Sequence, residues 1–132
     1  MTQTARVALV TGGLGGIGRA ICSRLGASGI RVVAADLPAD AARLETFTAD
    51  MASLPVTTLA LDVGDAGACA DAVAEVEARH GRLDILVNAA GITRDATLRK
   101  MAPEQWEEVL RINLDSAFHL CRAAVEGMVS RG

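Results

Sequence analysis

Aromatic side chains are nearly absent from the 132-residue chain: it has no tyrosine, one tryptophan and two phenylalanines, 2% in all. A core must therefore be filled by Ala, Val, Leu and Ile, and residues of that size suit helices and sheet packed close together. An excess of positive charge is missing too. The net charge is −3, and the thirteen cations, twelve Arg and the single Lys100, are scattered along the chain, which argues against nucleic acid as a partner. No apolar run approaches bilayer length, so no membrane association is expected. The opening segment Met1-Thr2-Gln3-Thr4-Ala5-Arg6 has no signal-peptide pattern, and a cytoplasmic location is the expectation. Cysteine is sparse and odd in number. Cys22, Cys69 and Cys121 lie far apart with no Cys-x-x-Cys pair, so all three read as small reduced core side chains, with no disulfide framework and no metal centre. His80 and His119 have no ligand-type neighbours; His80 reads as a helix end before Gly81, and His119 as a packing or surface residue.

A hydrophobic fraction of 51% against 22% charged residues excludes disorder, and the length suits one domain. Its centre is the stretch Val7 to Ala20. Val7 to Val10 is a continuous apolar run, as in a parallel strand buried on both faces. A glycine-rich turn, Gly12-Gly13-Leu14-Gly15-Gly16, leads into a helix with Ile17, Ala20, Ile21, Leu25 and Ser28 on one stripe and Gly29 as its C′ terminator. Bare glycines would let main-chain N–H groups and the positive end of the helix dipole meet a pyrophosphate. The alternative is a turn that serves chain reversal alone.

Ile30 to Ala35 predicts a second strand ending at Asp36, twenty residues past Gly16. An acid there can accept hydrogen bonds from the adenosine ribose hydroxyls of NAD and repel a 2′-phosphate, which favours NAD over NADP; the alternative is an N-cap, with Pro38 just inside the next helix. That helix is expected over Pro38 to Ser53, with Leu44, Phe47 and Met51 inward. Val56 to Leu61 is a third strand, followed by Asp62-Val63, where Asp62 can also cap a helix through Gly64-Asp65. Asp65 to His80 carries Cys69, Ala72, Val73 and Val76 on one stripe and ends at Gly81; Leu83 to Val87 is the fourth strand. Pro103 opens a helix whose buried stripe is expected to be Trp106, Val109, Leu110 and, at i+7, Asn113, an inward amide in need of partners. Leu114, Ala117, Phe118, Cys121, Val125 and Met128 extend the helical spacing almost to Gly132. The order is βαβαβαβα, and no internal repeat or linker appears.

Thr11-Gly12-x-x-x-Gly16-x-Gly18 and Asn88-Ala89-Ala90-Gly91 resemble the T-G-x-x-x-G-x-G and N-N-A-G signatures of the short-chain dehydrogenase/reductase family, with Ala89 replacing the second Asn. The loop Gly91 to Met101 looks like that of the family's 3-oxoacyl-carrier-protein and acetoacetyl-CoA reductases. The resemblance implies a Rossmann-like, doubly wound parallel sheet of about four strands in the order 3-2-1-4 with helices on both faces. It spans the whole chain as a single NAD(P)-binding domain, matching the first half of a family member without its catalytic half. It implies hydride transfer between NAD(P)H and a ketone or 3-oxoacyl thioester. Gly12, Leu14, Gly16, Ile17 and Gly18 would cradle the pyrophosphate, Asp36 the ribose, Asp62 and Val63 the adenine, and Asn88 and Ala90 the adjoining ribose. Asn113 would belong to the proton relay, a local break in its helix letting its carbonyl hold a water. Homo-oligomers through the helix of Leu114 to Met128 are also implied. The family's chemistry needs a Tyr-x-x-x-Lys pair, and with no tyrosine and Lys100 in a loop the chain alone is expected not to turn over. A non-catalytic nucleotide-binding or interaction module, or an inactive truncated fragment, is the alternative.

Overall fold

The computed structural model describes residues 4–132, so Met1, Thr2 and Gln3 of the opening segment lie outside the described residues. β1 (Val7–Thr11) is flanked by β2 (Arg31–Asp36) and β4 (Ile85–Asn88), and β3 (Val56–Ala60) lies beyond β2. All pairings are parallel and the order is β3-β2-β1-β4. β4 starts later than the sequence suggested: Leu83 is buried in the run-in, and Asp84 precedes the strand.

Alternation along the strands divides the core in two. Val7, Leu9, Val33 and Ala35 pack against Cys69, Val73 and Val76 of α3 (Ala66–His80) and Leu120 and Ala124 of α5 (Ser116–Arg131). Ala8, Val10, Val32 and Ala34 pack on the other face against Cys22 of α1 (Gly16–Ala27) and Phe47 of α2 (Ala41–Asp50). The sheet is therefore covered on both faces, as a parallel sheet requires.

Several helix faces differ from expectation. In α1 the buried residues are Gly18, Cys22 and Gly26, whereas Ile17 is 77% exposed. The helix lies so close to the sheet layer that only small residues fit beneath it; a Cβ on Gly26 would come within 3.2 Å of the Val56 side chain. α2 is shorter than Pro38 to Ser53, because Asp40, not Asp36, accepts the capping bond from the Arg43 N–H at 2.8 Å. α3 buries the expected Cys69, Ala72, Val73 and Val76 and ends at Gly81, whose φ of 79° closes the helix in the left-handed region. Its cap is Asp65, which accepts from the Ala68 N–H at 3.0 Å. His80 sits in the last turn of α3.

The C-terminal third departs most. α4 (Pro103–Leu110) opens at Pro103 as expected but buries none of its residues, and Trp106 is 58% exposed. A π-helical run, Arg111–Asp115, joins it to α5, and Asn113 in that run is exposed rather than inward. α5 turns Ser116, Leu120 and Ala124 inward and leaves Phe118 and Val125 exposed, as Leu114 is in the π-helical run before it, with Cys121 exposed as well. A long helix can carry two apolar stripes, and sheet and α3 take only one of them.

Candidate functional site

The site begins where β1 stops. Thr11 is buried; its hydroxyl donates to the Val87 carbonyl at 3.4 Å and accepts the Ala90 N–H at 3.2 Å, tying the β1 turn to the segment after β4. Gly12 follows with φ 63°, a conformation that favours glycine, and a Cβ there would lie 2.9 Å from the backbone of Ala89 and Ala90. A Cβ on Gly18 would lie 2.7 Å from the Gly12 carbonyl carbon, so the helix rests directly on the turn. Gly16 is different: a Cβ there would meet nothing within 4 Å. Fold geometry demands glycine at 12 and 18 but not at 16, where the bare backbone instead borders open space.

The start of α1 is electrostatically unfinished. Its N-cap, Gly15, offers no side-chain bond, and no acidic residue stands in its first turn. α2 and α3, by contrast, are capped by Asp40 and Asp65. First-turn N–H groups left without a cap, together with the positive dipole end, are the features that a helix start needs to attract an anion.

Asp36 closes one side. Its Oδ2 accepts the Leu14 N–H at 3.1 Å, its Oδ1 accepts the Leu37 N–H at 2.8 Å, and the Arg43 guanidinium stands 3.9 Å away. Asp62 Oδ1 accepts the Gly64 N–H at 2.9 Å, forming a tight turn that precedes the α3 cap. Asn113 is paired with Ile92 in both directions: its Oδ1 accepts the Ile92 N–H at 2.8 Å and its Nδ2 donates to the Ile92 carbonyl at 2.9 Å. The amide thus holds the loop that follows Gly91 against the π-helical run.

A cavity of about 710 Å³ runs between these elements, within the usual size of small-molecule sites. Of the residues singled out from sequence, Gly12, Gly16, Ile17, Gly18, Asp36, Asp62, Val63 and Ala90 border it. Leu14 does not border it; it is buried and takes part by its N–H to Asp36. Asn88 lies off the cavity at the exposed end of β4, where its Nδ2 is 3.7 Å from Cys121 Sγ. Asn113 touches the cavity wall through its partner Ile92. Sequence reasoning missed Arg43, Arg94, Glu108 and Arg111, all on the cavity wall. Arg94 forks onto Glu108, with both nitrogen to oxygen distances 3.1 Å. Cys22 lies beneath the turn, and burial pushes its thiol pKa up to about 11, so it is a packing group rather than a nucleophile.

The sequence profile of the short chain dehydrogenase family matches residues 6–132. The chain belongs to this family. Among curated short-chain relatives, an acetoacetyl-CoA reductase of Allochromatium vinosum is 44% identical over 130 residues, covering 97% of this chain and 53% of the relative. The 3-oxoacyl-[acyl-carrier-protein] reductase FabG of Escherichia coli K12 is 35% identical over 131 residues, 99% of this chain and 52% of that protein. A metagenomic short-chain oxidoreductase solved in complex with NADP superposes with a TM-score of 0.87 at 32% identity, covering 98% of this chain and 60% of that one. The chain spans about half the length of the curated relatives it matches.

Proposed function

We propose that the chain is the coenzyme-binding half of a short-chain oxidoreductase that passes a hydride between a nicotinamide dinucleotide, preferably NAD(H), and a ketone or 3-oxoacyl thioester. The observation that carries this is the uncapped start of α1 opening at Gly16 onto a cavity whose far wall is the Asp36 carboxylate. The residues present fit such a coenzyme. Main-chain N–H groups of Gly16, Ile17 and Gly18 would hold the pyrophosphate, with Gly12 and Ala90 letting the backbone come close and Leu14 fixing Asp36 in place. Asp36 would accept the adenosine ribose hydroxyls, and Asp62 with Val63 would border the adenine. Asn88, at the end of β4, would reach the coenzyme from outside the cavity. The nicotinamide supplies the hydride when bound; the chain's own part is to seat, orient and shield it. Asn113 orders the loop through Ile92, and its own carbonyl, in the π-helical run, is the group we assign to the proton relay.

NAD is preferred in this reading because a carboxylate already committed to two N–H groups repels a 2′-phosphate. The acyl-thioester substrate class rests on the named relatives and on the loop Gly91 to Met101. With no tyrosine in the chain, binding without turnover is expected of it. Titration of NADH fluorescence is the test: micromolar binding weakened about tenfold by Asp36→Ala, with NADPH gaining relative to NADH, supports the reading, and no binding by the wild-type chain rejects it. Turnover of acetoacetyl-CoA by the chain alone would contradict the argument from the missing tyrosine.

A second reading, a non-catalytic interaction module, is favoured by one observation, the exposed Trp106, Leu114, Phe118 and Val125. The same surface serves the first reading as a homo-oligomer contact along α5, and a cytoplasmic setting suits both. An inactive fragment would show neither coenzyme binding nor a cooperative unfolding transition.

A further inference from the structure

Three arginines stand on the cavity wall, Arg43, Arg94 and Arg111. Arg43 faces Asp36 at 3.9 Å and Arg94 forks onto Glu108. Arg111 forms no ion pair and no side-chain hydrogen bond with any of the described residues. It is not loosely placed, however. Its guanidinium lies against the backbone at Gly64, where a Cβ would be 2.9 Å from the Arg111 Cζ and equally close to the Ile112 Cδ1. Gly64 itself is held by Asp62 in a tight turn, so the absence of a side chain at 64 makes a notch that receives the guanidinium beside the cavity.

The neighbours decide what such a group can hold. Leu61, Val63 and Ile112 make this end of the cavity aliphatic, while the carboxylates of Asp36 and Asp62 on the same wall disfavour a second phosphate. A flat, apolar-faced, electron-rich ring suits aliphatic side chains on one side and a guanidinium plane on the other. We infer that Arg111 is a binding residue for the purine ring, lying over the adenine of the coenzyme from its Gly64 notch. This rests on the coenzyme reading above and adds to it a residue outside the glycine turn and the acidic strand ends.

The test measures ADP, nicotinamide mononucleotide and inorganic pyrophosphate binding to the full chain by calorimetry, for wild type, Arg111→Ala, Arg111→Lys and Gly64→Ala. Arg111→Ala is expected to raise the ADP Kd about twofold to fivefold, in the range of an exposed cation–π contact, while pyrophosphate and the mononucleotide bind as before. Arg111→Lys should recover little, since it restores the charge without the plane. Gly64→Ala, which displaces the guanidinium by another route, should give the same ADP-selective loss. Unchanged ADP affinity in Arg111→Ala, or a pyrophosphate loss of equal size, overturns the inference and leaves the coenzyme reading standing. A wild-type chain that binds neither ADP nor NADH overturns the coenzyme reading itself. Arg111 is exposed, so the thermal unfolding midpoint of Arg111→Ala should match wild type.

Discussion

The two ends of the sheet use the same residue types to opposite effect. At the N-terminal end of the strands, Asp84 is tied on all sides: its Oδ2 accepts the Val7 N–H at 2.8 Å, and Arg82 forks onto both oxygens at 2.6 and 2.8 Å. Arg131 of α5 closes the same end, donating to the Leu83 carbonyl at 2.7 Å. At the C-terminal end, Asp36 takes two N–H groups and still fronts a cavity, Arg43 keeps its distance at 3.9 Å, and α1 has no cap. Groups satisfied within the chain hold the fold together. Groups left open at the carboxyl ends of parallel strands, where ligands of such sheets bind, are the ones free to take a partner.

The largest expected effect separates two glycines of the same turn. Gly18→Ala drives a methyl into the Gly12 carbonyl, backbone against backbone, and overpacking of that kind should cost about 3 kcal/mol; chemical denaturation should show a lower midpoint at unchanged slope. Gly16→Ala meets nothing within 4 Å and should leave stability within about 0.5 kcal/mol of wild type. It should nevertheless weaken NADH binding, because the methyl enters the space next to the α1 N–H groups. Equal stability losses in the two variants would erase the distinction between a glycine for packing and a glycine for a ligand.

That distinction also explains what the sequence could disclose. The single-stripe helix α3 and the βαβ rhythm were legible because each depends on one repeating contact with the sheet, whereas the strand order came from the family resemblance and not from any pattern along the chain. α1 was misread because counting apolar residues undervalues Gly18 and Gly26, whose smallness brings the helix close. α4 was misread for another reason: periodicity reports that a face is apolar, not that anything covers it, and Trp106 is exposed in this chain. Within the site, Gly12, Gly16 and Asp36 could be found by spacing alone. Arg94, Glu108 and Arg111 could not, since they reach the cavity from a loop and from helices remote in sequence, and no local pattern marks them.

Asp84 offers the next test, at the closed end. The hydrogen bond from Arg82, and after it the Val7 N–H, hold its carboxyl below the usual carboxylate range against the opposing cost of burial. A folded-state pKa lower than the unfolded one means stability that is fully present above the unfolded value of about 4 and lost as pH falls through the folded value. Asp84→Asn should therefore destabilise by about 1–2 kcal/mol at pH 7, in the range of a charge-assisted hydrogen bond. The gap to wild type should begin to narrow below about pH 4 and close only once pH is below the lowered folded value. A gap that stayed constant down to pH 2 would mean the amide is misfitted and charge is irrelevant there. Asp36→Asn, at the open end, should show its main effect in coenzyme binding instead.

The smallest effect is the most pointed. Gly15 is the N-cap of α1 with φ −78° and ψ 175°, an extended backbone that an aspartate adopts freely, and a Cβ there would approach nothing nearer than the Gly12 carbonyl at 3.4 Å. Gly15→Asp should supply α1 with the kind of cap that Asp65 gives α3. Because glycine is itself a tolerable cap and aspartate a good one, the gain should be only a few tenths of a kcal/mol, up to about 1 kcal/mol with the dipole term. A thermal midpoint raised by a few degrees would report it. The same carboxylate would occupy the first-turn N–H groups and place a negative charge at the position proposed for the pyrophosphate, so NADH binding should fall by far more than the stability rises. Stability and binding moving in opposite directions on one substitution is the outcome that distinguishes an end left open for an anion from an end merely poorly capped. If stability rises and binding is untouched, the start of α1 is not where the coenzyme docks.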